Sequence, residues 1–244
     1  MILHYDLHIH SCLSPCGDDD MTPNNIVNMA LLAGLDVIAL TDHNSCKNCP
    51  ALLKAAERAG LTAIPGMELC TAEECHIVCL FSTLEKAAAF DQMVEKTLPP
   101  VENRADIFGE QRLMDAEDTV YARYPVLLTT ASAISVDEVV PLVRKYGGVA
   151  FPAHIDRPSY SVTAALGDLP SVGFRAAEIT ATGDVDALLS RYAELRGKPL
   201  LLDSDAHYLH QIADAGPWVD LPENTPDALI AALNGAAPCR WGRR

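Results

Sequence analysis

"DLHIHSCLSPCGD" runs from Asp6 to Asp18 and sets His8, His10, Cys12, Cys16 and Asp18 at the end of the first apolar stretch. In a strand, residues i and i+2 point to the same side, so His8 and His10 can grip one ion if "MILHYDLHI" is extended. The residues that follow support a strand-then-helix reading. "TPNNIVNMALLAG" has Thr22 as an N-cap, Pro23 at the first helical position and Gly34 as a stop. "LDVIALTDH" then reads as a buried second strand.

The same alternation continues outward. "PALLKAAERAG" reads as helix, "LTAIPGMEL" and "CHIVCLF" as strands, and "LEKAAAFDQMVEKTL" as a helix stopped by Pro99 and Pro100. Further on, "VDEVVPLVRKYGG" and "DVDALLSRYAELRG" read as helices, "VAFPAHI", "AAEIT" and "KPLLLDSDAH" as strands, and "TPDALIAALNG" as the closing helix. Strands alternating with helices predict an α/β fold with a largely parallel sheet, and the number of units suits a barrel better than a short open sheet. No repeat or linker divides the chain, so one domain is expected over 1–244. Its irregular insert, around 99–135, reads as a lid in preference to peripheral decoration.

Eighteen basic against thirty-three acidic residues give a net charge of −15. That charge repels polyanions, so neither extended nucleic acid nor a membrane is expected as a partner. The first residues lack a signal-peptide pattern, and no run approaches about 18 uninterrupted apolar residues, so a cytoplasmic location is expected. Eight cysteines in such a chain read as reduced thiols or ligands and not as a disulfide framework.

The strand ends carry the chemistry. His8 and His10 close the first, Asp42 and His43 the second, Glu68 the third; His76 opens the next, His154 closes "VAFPAHI", and Asp205 with His207 closes "LLLDSDAH". In parallel α/β architectures the carboxyl ends of strands converge on one face. A lone histidine is ordinarily a hydrogen-bonded, half-buried side chain, but this much polarity at five or six converging strand ends needs an ion to satisfy it. Imidazole mixed with carboxylate suits zinc, iron or manganese; calcium and magnesium want mostly oxygen.

"DLHIHS", "TDHN", "GMEL", the histidine of "CHIV", "PAHIDR" and "SDAH" follow in order from Asp6 to His207. In these segments the chain resembles the PHP (polymerase and histidinol phosphatase) metallophosphoesterases. The resemblance implies a distorted (β/α)7 barrel of PHP type with two to three divalent ions at the C-terminal ends of the strands. It further implies that His8, His10, Glu68 and Asp205 hold one ion, Asp18, His43 and His207 a second, and Glu68, His76 and His154 a third, with Glu68 bridging. Asp18 is preferred over Asp19 and Asp20 because it lies five residues before Pro23, as in the "SDGxxTP" form of the motif. The other two suit a helix N-terminus.

Around these ligands, Arg157 is a candidate to reach a substrate phosphate with its planar fork of donors, beside the plainer reading of a solvated surface arginine. His210 is a candidate proton donor to the leaving group, beside the plainer reading of an exposed helix histidine. Asp6, Asp42 and Asn44 are expected to orient neighbouring histidines. Cys12 and Cys16, with Cys46 and Cys49 on the next loop, form a candidate four-thiol zinc, iron–sulfur or redox site, against the alternative of separate free thiols.

Such a centre implies phosphoester hydrolysis by metal-activated hydroxide, without a protein nucleophile. The expected substrate is a small phosphomonoester, a nucleotide or metabolite phosphate. Two alternatives are a phosphodiesterase acting on short oligonucleotides or cyclic nucleotides, and a non-enzymatic metal or redox sensor using the loop cysteines. A full set of ligand positions favours an enzyme over a sensor.

Overall fold

A computed structural model describes residues 1–212, 214–237 and 239–243. It begins with the predicted alternation: β1 (Ile2–Ile9), α1 (Pro23–Leu32), β2 (Val37–Leu40), α2 (Cys49–Ala59) and β3 (Thr62–Cys70). The α1 start is capped as expected, with Thr22 Oγ1 accepting from Asn25 N and Pro23 at the first position, and Gly34 turns the chain out at φ +75°. Next come β4 (His76–Phe81), α3 (Leu84–Glu95), α4 (Ala105–Phe108), β5 (Arg112–Met114), β6 (Val120–Arg123), α5 (Val136–Lys145) and β7 (Gly148–Pro152). The chain finishes through α6 (Val162–Leu166), β8 (Ala177–Ile179), α7 (Val185–Arg191), β9 (Leu200–Leu202), β10 (Trp218–Asp220), α8 (Pro226–Leu233) and β11 (Arg240–Gly242).

The main sheet has the order β11-β10-β1-β2-β3-β4-β7, and β8 pairs with β9 in parallel. That pair fills the arc between β7 and β1: Ile155 N donates to Glu178 O, and Ile9 forms a parallel bridge to Ala206. The result is an α/β barrel, curled and incompletely laddered. Between β1 and β9 side chains replace backbone pairing. Asp203 Oδ1 accepts from Leu7 N at 2.7 Å and Asp6 Oδ1 from Ser204 N at 3.1 Å.

One stave departs from the expected parallel arrangement. β4 runs antiparallel to both β3 and β7, because only the short turn after Cys70 joins it to β3 and no helix crosses over. The reversal places the first residue of β4, His76, on the rim where the other staves end.

Two apolar clusters follow the period of two. Leu3, Tyr5 and Leu7, with Val37, Ala39, Ile64, Val78, Leu80, Val149 and Phe151, face the barrel interior, which Leu229, Ile230 and Leu233 of α8 close. Ile38, Leu40, Met67, Leu69 and Ile77 face outward onto the surrounding helices. Ile9 belongs to the outer cluster although Leu7 belongs to the inner one, because the β1–β2 register shifts between Asp6 and Ile9. This bulge re-aims the strand end, so that His8 and His10 face the rim.

The insert expected as a lid is a docked flange. Met114 N donates to Asn48 Oδ1, Asn48 Nδ2 to Arg112 O, and Asn44 Nδ2 to Leu128 O and Thr130 O. Leu13 packs against Leu113, Tyr124 and Leu128 of the insert. No helix among the described residues is long and apolar enough to cross a membrane.

Candidate metal centre

Glu68 is placed by strand alternation. Ile64, Gly66 and Glu68 share one face of β3, so the carboxylate points to the rim and is 1% exposed. Its Oε1 lies 2.9 Å from His76 Nδ1, 3.2 Å from His154 Nε2 and 3.3 Å from His8 Nε2, and its Oε2 lies 2.9 Å from His43 Nδ1. Left to itself, a buried carboxylate costs several kcal/mol. Burial raises its pKa, but His76 and His8 outweigh that and hold it well below the ordinary carboxylate range.

Three donor sets overlap around it: His8, His10, Glu68 and Asp205; His10, His43 and His207; and His43, Glu68 and His76. Within each set the ligand atoms lie within 4.8 Å of one another. His154, expected with the third set, reaches Glu68 but lies outside these groups. Left-handed backbone at Asn44, His154 and Asp205 (φ +50°, +31° and +50°) turns these strand ends inward. Such strain persists where the surrounding structure over-determines it.

The imidazoles are oriented from behind. His8 Nδ1 donates to Glu178 Oε2 at 2.7 Å, His10 Nδ1 meets Ser14 Oγ at 2.9 Å, and His207 Nδ1 donates to the Asp205 carbonyl at 2.9 Å. Each contact leaves Nε2 as the ligating nitrogen. Burial lowers the pKa of His8, but Glu178, Asp205 and Glu68 overcome it and raise the pKa well above normal. Burial, then His207 and His43, push His10 down.

These residues fit divalent cations. Glu68 Oε2, His43 Nδ1, His154 Nδ1 and Asp205 Oδ1 are buried without a hydrogen-bond partner. The 2.9 Å approach of His43 Nδ1 to Glu68 Oε2 therefore lacks hydrogen-bond geometry, and neither buried atom is satisfied within the protein. Mixed imidazole and carboxylate donors suit zinc, iron or manganese.

Several expected roles change. Asp18 is not gathered with His43 and His207; its Oδ1 accepts from Asp20 N, and Cys16 Sγ stands 3.2 Å from His43 Nε2 instead. Burial would raise the Cys16 thiol, but hydrogen bonds with His207 and His43 pull it down to about 6. Asp6 accepts from the backbone of His8 and Ser204, not from an imidazole. Asp42 acts through an intermediary: it accepts from Ser14 Oγ, which contacts His10. Asn44 clips the insert to Cys70 N, and His210 is exposed beside Tyr208, away from the donors.

The four thiols do not assemble. Cys12 is buried with Sγ 3.2 Å from Met114 Sδ, and burial pushes its pKa up to about 12. Cys46 and Cys49, both buried, donate to the Gly66 carbonyl at 3.1 and 3.5 Å. Sequence reading missed Glu178 and Ser14. The signal for Glu178 was a single carboxylate inside the apolar strand "AAEIT".

The family model described as PHP domain matches residues 6–201. The 5'-3' exoribonuclease Rnm of Salmonella typhimurium is 34% identical over 98 residues, covering 38% of this chain and 32% of that protein. The chain thus spans about a third of that curated relative's length. Among solved structures, the lesion-specific endonuclease PfuEndoQ from Pyrococcus furiosus superposes with a TM-score of 0.66 at 20% identity, covering 99% of this chain and 58% of that one. Endonuclease Q in complex with a 27-mer duplex bearing an abasic lesion gives a TM-score of 0.66 at 20% identity, over 98% and 58% of the two chains. The likeness to the exoribonuclease and to the endonuclease bound to duplex overturns the expectation, drawn from net charge, that extended nucleic acid is no partner. Total charge averages over the surface, whereas strand recognition needs only the contacts around one site.

Proposed function

The chain belongs to the PHP domain family, and from that membership and its rim of shared donors we propose a metal-dependent phosphoesterase acting on nucleotide phosphoesters, nucleic-acid strands included. Glu68 carries this reading, being a buried carboxylate surrounded by His8, His43, His76 and His154 with its Oε2 unpartnered. Divalent ions held there supply Lewis acidity toward phosphoryl oxygens and lower the pKa of water. In this reading His8, His10, Glu68 and Asp205 hold one ion, His43 and His207 a second, and Glu68, His76 and His154 a third.

Arg157 Nη1 donates to Asp205 Oδ2, and its side chain is 41% exposed. Its remaining donors are free to orient a phosphate in the rim. Tyr160 is half-exposed with its ring stacked on His76 at 4.8 Å, which offers an outer π-face to a base. The sensor alternative loses its four-thiol site, since Cys12 stands apart at Met114 while Cys46 and Cys49 share the Gly66 carbonyl.

The test is turnover of 5'-phosphorylated RNA and DNA oligonucleotides, mononucleotides and simple phosphomonoesters, with protein loaded separately with manganese, iron or zinc, beside Asp205→Ala. Shortening of oligonucleotides that disappears in the variant is expected. Turnover of simple monoesters alone would return the substrate to a small metabolite phosphate. No turnover despite confirmed metal occupancy would overturn the enzymatic reading.

A further inference from the structure

We propose that Cys16 is a thiolate ligand of the ion held by His43 and His207, in the place expected for Asp18. The inference rests on the metal-centre reading above and adds to it a soft donor. Cys16 Sγ lies 3.2 Å from His43 Nε2, and the ring centroids of His43 and His207 are 5.9 Å apart. With Zn–S near 2.3 Å and Zn–N near 2.1 Å, a shared ion separates sulfur and nitrogen by about 3.1 Å at a right angle and about 3.6 Å at a tetrahedral one. The observed spacing falls between these limits. His207 Nδ1 is engaged by the Asp205 carbonyl, so Nε2 carries the free lone pair. Beside them, His43 Nδ1 and Asp205 Oδ1 are buried without partners, at residues 5% and 8% exposed.

The loop presents this sulfur by construction. Ser14 N donates to Ser11 O and Gly17 N to Ser14 O, winding residues 11–17 into a tight turn. A Cβ on Gly17 would collide with the Ser11 carbonyl, so the turn requires glycine after Cys16. Asp18 N donates to His207 O at 2.9 Å, which ties the loop to the histidine beside Cys16. Asp18 itself is half-exposed and committed to Asp20 N. One thiolate among imidazoles shifts preference toward zinc or ferrous iron and away from manganese and magnesium.

The experiment titrates metal-free, full-length protein with cobalt(II) under exclusion of oxygen and follows absorption and bound metal. A near-ultraviolet sulfur-to-cobalt charge-transfer band is expected, lost in Cys16→Ser and kept in Cys12→Ser. Cobalt affinity at that position should fall by more than about 100-fold in Cys16→Ser, beyond the roughly 10- to 100-fold typical of removing a partner behind a ligand. Cys16→Asp, which restores a hard donor, should bind without the band and let manganese compete better against zinc. Visible cobalt bands in the wild type without the near-ultraviolet band would leave the metal centre standing and overturn the role of Cys16. Failure of the wild type to take up cobalt at all would overturn the metal centre and this inference together.

Discussion

His8 donates through Nδ1 to Glu178 Oε2 at 2.7 Å, and both side chains are buried. Glu178 Oε1 also accepts from His154 N, so one carboxylate positions two strand ends at the rim. Glu178→Gln keeps one acceptor and loses the charge that makes His8 a better donor to a cation. Metal affinity at the His8 position should drop by about 10- to 100-fold, measured by titration, with the fold retained by circular dichroism. Unchanged affinity would mean that Glu178 only packs.

Removing metal should destabilise the protein. Ions bound at about 100 times their dissociation constant add roughly 2.7 kcal/mol, and for a chain of this size each kcal/mol moves Tm by about 2–4 °C. Chelation is expected to lower Tm by about 5–10 °C, and metal restores it. A calorimetric scan indifferent to chelator would count against a loaded site in the native protein.

Arg157 reaches Asp205 while keeping part of its fork exposed. Arg157→Ala should lower kcat/KM by about 100-fold, in the range seen when one transition-state donor is removed, while bound metal stays constant. Loss of metal in parallel with activity would reassign the arginine to holding Asp205 in place.

Asp91 organises the loop that carries Cys46, accepting from Cys46 N at 2.7 Å and from Lys47 Nζ at 2.7 Å. Burial opposes the charge of Lys47, but Asp91 outweighs it and raises the lysine pKa. A raised lysine contributes stability that is fully present below its unfolded value, near 10.4, and is lost as pH rises through the higher folded value. Lys47→Met should therefore cost up to about 1 kcal/mol at pH 7, and urea melts of the two proteins should converge once the pH passes the raised folded value. A difference that persists there would point to packing by the lysine stem.

Asn48 is fully buried and makes hydrogen bonds to Met114 N, Arg112 O and Ser11 Oγ. Asn48→Leu leaves those groups unsatisfied, at about 1–3 kcal/mol each before relaxation. Limited proteolysis should then cut first between residues 99 and 135. Cleavage elsewhere, with the insert protected, would mean that its apolar contacts alone hold it.

The sequence by itself determined the local elements and the inventory of donors. Thr22, Pro23 and Gly34 mark α1 through short-range capping and backbone rules, and the period of two points Glu68 toward the rim, because both signals act within a few residues. What it could not settle were relations that depend on distant chain segments. The direction of β4 follows from a turn too short for a crossover helix, and it decides that His76 joins the rim. The choice between Asp18 and Cys16 depends on how the turn at residues 11–17 closes against His207. Glu178 matters through His8, 170 residues away, and the thiol loops, adjacent in topology, diverge because Cys12 finds Met114 while Cys46 and Cys49 find Gly66. Periodicity fixes which face a side chain takes; only tertiary packing decides which partner it meets there.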